Sequence, residues 1–246
     1  RLLEHNETAL DVEALQKSNI RYAQERLQEL AKDLPIENEI IIRQGAPADI
    51  ISRLASEQRC DLVITATHGK AGFKRFLLGS VTEKLIKTLH CPLLVLPPQE
   101  HDWIPHAGFG LKLKKMLDGC DFSPDSKLAV DYGLSLAQEF QAELCLSHVI
   151  KPSLYIKERE GIDQLRNRLE NELDTMVPEA CRDWCTAQTA LLDGEPYIAL
   201  MNFAKEQDID MIVLGIRGHT LLEKLLVGST TDRLIRHSPF PVLAVR

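Results

Sequence analysis

The 246-residue chain predicts an α/β protein of two repeated domains, each an open, Rossmann-like parallel sheet. Three observations carry this. Residues 45–96 align with 194–245 at a constant offset of 149, without a gap and with 15 identities in 52 positions. Amphipathic helical stretches alternate with short apolar runs in both copies, as βαβ units require. Runs such as DLVIT (61–65) and MIVLG (211–215) are apolar at consecutive positions, which suits a sheet covered on both faces.

The matched positions are mainly turn residues. Gly45 and Pro47 fall on Gly194 and Pro196, Asp61 on Asp210, Gly69 on Gly218, Gly79-Ser80 on Gly228-Ser229, and Pro92 on Pro241. Shared apolar periodicity does not produce such matches, so the chain reads as a duplication. In the second copy the pattern predicts strand 116–120, helix 125–140, strand 144–150, helix 160–176, strand 186–192, helix 196–207, strand 211–215, a helix from Gly228-Ser229 to about Arg236, and strand 241–245. In the first it predicts helix 12–33, strand 39–43, helix 48–58, strand 61–66, helix 80–89 and strand 92–96. Right-handed crossovers then give parallel sheets. The domains are 1–97 and 112–246, joined by a Pro- and Gly-rich linker at 98–111.

Arg1 aligns with Ile150, so counterparts of 113–149 are absent from the first copy. Without them the remaining strands leave edges and apolar faces open. The expectation is that about 35 to 45 residues precede Arg1, or that another chain fills the place.

Composition narrows the function. A net charge of -7 argues against a nucleic-acid footprint, and 44% hydrophobic residues suffice for packed cores. No apolar run reaches the length of a membrane span. The six scattered cysteines read as free thiols in a reduced cytoplasm. Cys181 and Cys185 are four apart, but no further ligands join them into a metal set.

One motif carries chemistry. GIRGHTLLEKLLVGST places Gly215 at a strand end, then Gly218, then Gly228-Ser229 opening a helix. A helix start offers unpaired amides and a positive dipole end to a phosphate, and glycine lets a ligand approach the backbone. Arg217 could add a charged contact. A purely structural reading stands beside this one. Ser229 with Asp232, and Ser80 with Glu83, have capping-box spacing, which stabilises a helix start without a ligand. His68 and His219 flank the two turns, as loop histidines or as anion contacts.

These residues resemble the universal stress protein family. The glycine motif and the following TTDRLIRHSPFPVLAV resemble its nucleotide-binding signature and last strand. KKMLDGCDFSPDSKLAVDYGLSLAQ resembles its first strand, acidic turn and first helix, SHVI the end of its second strand, and LLDGEPYIALMNFAKEQDIDMIVLG its third strand, third helix and fourth strand. The resemblance implies five-stranded sheets ordered 3-2-1-4-5, with an adenine nucleotide at the carboxyl ends of the strands. Carried over by motif, Asp121 with Phe122 and Ser123 lies near the nucleoside and Val149 lines the adenine pocket. Gly215, Arg217, Gly218, Gly228, Ser229 and Thr230 surround the phosphates. ATP is the expected ligand, with AMP or ADP in its place, and Mg2+ would accompany the nucleotide.

The first copy departs from this pattern. Ala66 replaces the leading glycine, while His68, Gly69, Gly79 and Ser80 remain as a degenerate site, and the acidic turn is missing. Asp118 also stands where the family has an apolar residue, as a functional carboxylate or because the strand starts later. The resemblance implies a cytoplasmic stress-response protein, at most a slow ATPase, that forms a homodimer or an internal pseudo-dimer through its last strands. An interaction module without nucleotide, and an ATP-dependent adenylating enzyme of the same fold, are the alternatives.

Overall fold

The computed structural model describes residues 2–32, 34–67, 78–98, 112–157, 161–183, 185–218 and 227–246, with side chains described outside 2–12 and 156–157. The linker at 98–111, His68, Gly69 and His219 therefore lie wholly or almost wholly outside the described residues. The chain divides into two compact units, Arg1–Ala46 and Pro47–Arg246.

The first unit is built on α1 (Leu2–Ala31). Its described surface is charged and laced with pairs one turn apart, such as Lys17–Glu13 at 2.8 Å and Arg21–Glu25 at 3.1 Å. The expected strand at 39–43 does not form; this stretch carries no ladder. Its three successive isoleucines favour a strand, but a strand needs a neighbour. At the offset of 149 its counterpart is the strand 186–193, whose ladder partner is 143–150. Among the described residues no strand pairs with 39–43.

The second unit contains α2 (Pro47–Glu57), β1 (Val63–Ala66), α3 (Ser80–Thr88), β2 (Leu93–Leu96), β3 (Lys115–Gly119), α4 (Pro124–Phe140), β4 (Glu143–Ile150) and α5 (Pro152–Lys157). It continues with α6 (Ile162–Thr175), a short 3-10 turn at Glu179–Asp183, β5 (Thr186–Asp193), α7 (Pro196–Glu206), β6 (Met211–Gly215), α8 (Ser229–His237) and β7 (Val242–Val245). Its strands form one seven-stranded sheet in the order β1-β2-β7-β6-β3-β4-β5. The second repeat supplies β5-β4-β3-β6-β7, all parallel, which is the expected 3-2-1-4-5 order. The first contributes β1 and β2, also parallel to each other.

The repeats join by antiparallel pairing of β2 with β7, Leu93 opposite Ala244, Leu94 opposite Leu243 and Val95 opposite Val242. Because 93, 94 and 95 correspond to 242, 243 and 244, this seam is self-complementary about an axis between Leu94 and Leu243, as in a two-fold dimer. Above it, Arg236 of α8 reaches Glu83 of α3 at 3.6 Å.

Side chains alternate across the sheet and build two apolar layers. One holds Leu117, Ile212, Leu214, Val242 and Ala244 under α7 and α8, and runs on through Leu93 and Val95 to α2 and α3. The other holds Met116, Leu144, Leu146, Val213 and Val245 under α4 and α6. In α6, Leu165, Leu169 and Leu173 recur every four residues and are buried. The matched glycines Gly45 and Gly194 have φ of 137° and 124°, a backbone that side chains avoid, which explains their place in the repeat.

Among the described residues of the first repeat no helix corresponds to α4. Leu62 and Ile64 are 42% and 59% exposed, whereas their counterparts Met211 and Val213 are 4% and 0% exposed. The open apolar face expected from the sequence is present at β1.

Asp118 corrects one reading. The strand does not start late: Asp118 lies inside β3 and is 0% exposed. Neither carboxylate oxygen has a hydrogen-bond partner among the described residues. Burial, and then the charge of Asp131, push its carboxyl well above the usual carboxylate range.

Candidate functional site

The site lies at the carboxyl ends of β3 and β6, beside β4, the place where open parallel sheets take ligands. After β3 the chain turns sharply through Asp121, Phe122 and Ser123 into α4. Ser123 is the N-cap: its Oγ accepts from Ser126 N at 3.3 Å, and Pro124 follows it at a position that tolerates proline. Asp121 Oδ1 accepts from Ser123 N at 3.0 Å. Phe122 sits at φ 63°, in the left-handed region, which costs a bulky residue about 1–3 kcal/mol. The Cys120 thiol accepts from Phe122 N at 3.3 Å. Burial, foremost, pushes this thiol up to about 11, so it stays neutral.

The glycine turn after β6 packs directly on this segment. An added Cβ at Gly215 would lie 2.6 Å from Ser126 N, and one at Gly218 would lie 2.5 Å from Asp121 Oδ2. Backbone atoms therefore bar a side chain at Gly215, whereas one at Gly218 would have to turn the Asp121 carboxylate aside. Ser123 Oγ donates to Arg217 O at 3.1 Å, binding the two turns together. Arg217 grips Asp125 with Nε to Oδ2 at 2.8 Å and Nη2 to Oδ1 at 2.7 Å. A phosphate contact from Arg217 would have to share this fork.

The capping boxes are not formed. α8 is capped by Gly228 and α3 by Gly79, both extended and without a side-chain cap bond. Ser229 and Ser80 are the first helical residues instead. Asp232 turns to Arg236, and Glu83 to Lys87. Glycine occupies each cap because the backbone doubles back tightly: Gly228 N donates to Ile216 O at 2.7 Å, and Gly79 N to Thr67 O at 2.8 Å. Buried Thr231 donates to Gly215 O at 2.8 Å, and buried Thr82 to Ala66 O at 3.0 Å. The bonds that close the first-repeat turn thus match those of the second, with Ala66 in the place of Gly215. Ser229 and Ser80 are exposed, and Thr230 is half-buried. The first amides of α8 have no partner within the helix and receive no cap from Gly228.

Asp121, Phe122, Ser123, Gly215, Arg217 and Gly218 are thus brought together, with Gly228, Ser229 and Thr230 at the adjoining helix start. Val149 stands on β4 opposite Leu192, half-buried against the layer that holds Leu117. Two residues of this region escaped the sequence reading. Asp125 is 92 positions from Arg217, and no local pattern announces their pairing. His148, beside Val149, packs its ring on Phe122 with centroids 4.8 Å apart and places Nδ1 2.8 Å from Cys120 O.

The family model described as the universal stress protein family matches residues 3–97 and 112–246. The universal stress protein YxiE of Bacillus subtilis is 34% identical over 146 residues, covering 54% of this chain and 98% of that protein. The universal stress protein MJ0531 of Methanocaldococcus jannaschii is 31% identical over 139 residues, covering 54% of this chain and 82% of that protein. In fold, the crystal structure of a universal stress protein from Archaeoglobus fulgidus covers 96% of this chain and 82% of its own, with a TM-score of 0.71 at 22% identity. Both repeats match one family model, and the second has the strand order implied by the motif resemblance, so the chain belongs to the universal stress protein family.

Proposed function

We propose that the second repeat binds an adenine nucleotide, ATP foremost and ADP or AMP in its place, and that the protein is a cytoplasmic stress-response regulator. The observation that carries this reading is the start of α8: a glycine cap without a side-chain acceptor, followed by exposed Ser229 and half-buried Thr230 next to the Asp121 turn. The amides and hydroxyls there suit phosphate oxygens, and the helix dipole favours their charge. Gly215, Gly218 and Gly228 hold the turn close, with Arg217 at its edge. Asp121, carried by Phe122 and Ser123, takes the nucleoside, and Val149 takes the base. Mg2+ travels with the phosphates. Ala66, His68, Gly69, Gly79 and Ser80 form the degenerate counterpart.

In this reading 1–97 and 112–246 are the duplicated domains and 98–111 the linker. Turnover is slow or absent, and the bound nucleotide acts by favouring one conformation or assembly, such as a homodimer, over another. The seam between β2 and β7 supports an internal pseudo-dimer.

The test is the nucleotide released by acid from purified protein, counted per chain, in the wild type and in Ser229→Asp. A carboxylate at an exposed first helical position favours the helix by about 0.3–1 kcal/mol while repelling phosphate. The expected result is a single nucleotide per wild-type chain, lost in Ser229→Asp with the melting temperature kept. Two nucleotides per chain would bring the first repeat into use. None, even after MgATP is added back, would leave the interaction-module reading.

A further inference from the structure

Four described non-glycine residues have positive φ: Arg59, Phe122, Gln141 and Asp208. Three of them follow the ends of α2, α4 and α7, where a left-handed residue closes a helix. Phe122 closes none. It lies between β3 and the cap of α4, so its backbone must be held from outside.

His148 supplies that hold from β4. Its ring lies 4.8 Å from the Phe122 ring at a 36° tilt, and its Nδ1 is 2.8 Å from Cys120 O. A carbonyl only accepts, so Nδ1 carries the proton. His148 thus grips the residue before Asp121 by a hydrogen bond and the residue after it by ring contact. Within this grip Asp121 bonds Ser123 N at 3.0 Å through one oxygen, and brings the other to where a Gly218 Cβ would be 2.5 Å away. The path from His148 to the glycine turn is continuous and runs through Asp121.

We infer that His148 is a positioning residue of the nucleotide site: it fixes the left-handed Phe122 turn so that Asp121 faces the glycine turn, without itself touching the nucleotide. This rests on the binding reading above, but its structural half stands apart from it. Replacing Phe122 by glycine removes the need for a clamp, since glycine takes this backbone freely. An asparagine at 148 keeps a short amide donor for Cys120 O and loses the ring.

Two quantities test this in the full chain: hydrogen exchange of the Ser123 amide, and ATP affinity by titration. His148→Ala should speed Ser123 exchange at least tenfold and weaken ATP at least fivefold, with protection of the β6 amides kept. His148→Asn should recover part of both. In His148→Ala/Phe122→Gly, Ser123 exchange should return to within about threefold of the wild type. Unchanged Ser123 exchange in His148→Ala, or no recovery in the double variant, overturns the inference. If His148→Ala does not fold, the comparison is made between His148→Asn alone and His148→Asn/Phe122→Gly, with the same recovery required. If wild-type protein binds no ATP, the nucleotide reading fails, and with it the site role given to His148. The exchange measurements then decide only whether His148 holds the turn.

Discussion

Asp118 is a carboxyl in the middle of a central strand, fully buried among Met116, Leu144 and Val213 and crowded by Gly133. Leucine has the same branching as aspartate and no polar atoms, so Asp118→Leu should raise stability by about 1–3 kcal/mol at pH 7. The sign with pH follows from linkage. The folded pKa is above the unfolded value of about 3.9, so the folded state binds the proton more tightly. Wild-type stability relative to Asp118→Leu is greatest below that unfolded value and is lost as pH rises through the folded pKa. Denaturant melts at pH 5 and pH 8 should show a larger gain for Asp118→Leu at the higher pH; an equal gain at both would mean that Asp118 does not titrate with folding. Gly215 is constrained in a different way. A methyl there meets backbone atoms of Asp125 and Ser126, which cannot swing aside as a side-chain end can. Gly215→Ala should cost about 1–3 kcal/mol, read as a lower unfolding midpoint in urea. The matching position in the first repeat is Ala66.

At the scale of elements, apolar runs and glycine or proline punctuation made most of the second unit legible in the sequence, with ends shifted by one or two residues. The failures have physical causes. Residues 39–43 carry a strand's composition, but pairing is a property of two segments, and no described segment pairs with them. The six-residue α5 was missed because a helix that short has no room for a periodic pattern. The capping boxes had the right spacing and the wrong register, since a backbone bond from Gly228 to Ile216 O decides which residue caps α8. The glycine motif was legible as a turn and a helix start. The Asp125–Arg217 fork was not, because it joins the start of α4 to the turn after β6, 92 positions away. Buried Thr231 ties α8 to the last carbonyl of β6, so Thr231→Val should lower the unfolding midpoint by the equivalent of about 1 kcal/mol. Its counterpart Thr82→Val should behave alike, and both can be read in one series of urea melts.

Across the whole second unit, the seam makes the two repeats share a core. Leu93 is 0% exposed and belongs to the same apolar layer as Val242 and Ala244. Leu93→Ala should cost about 2–5 kcal/mol, and hydrogen exchange should show protection lost in β7 as well as in β2. Loss confined to β2 would mean that the repeats open independently. The antiparallel sense of that same seam has a consequence for traffic at the surface. Strand direction reverses between β2 and β7, so the turn after Ala66 and the turn after Gly215 open on opposite banks of the sheet. Between the banks lies at least the length of a strand, about 17 Å for the five residues of β6. One small molecule cannot bridge both. The two glycine turns are therefore separate surfaces, and any coupling between them has to go through the sheet.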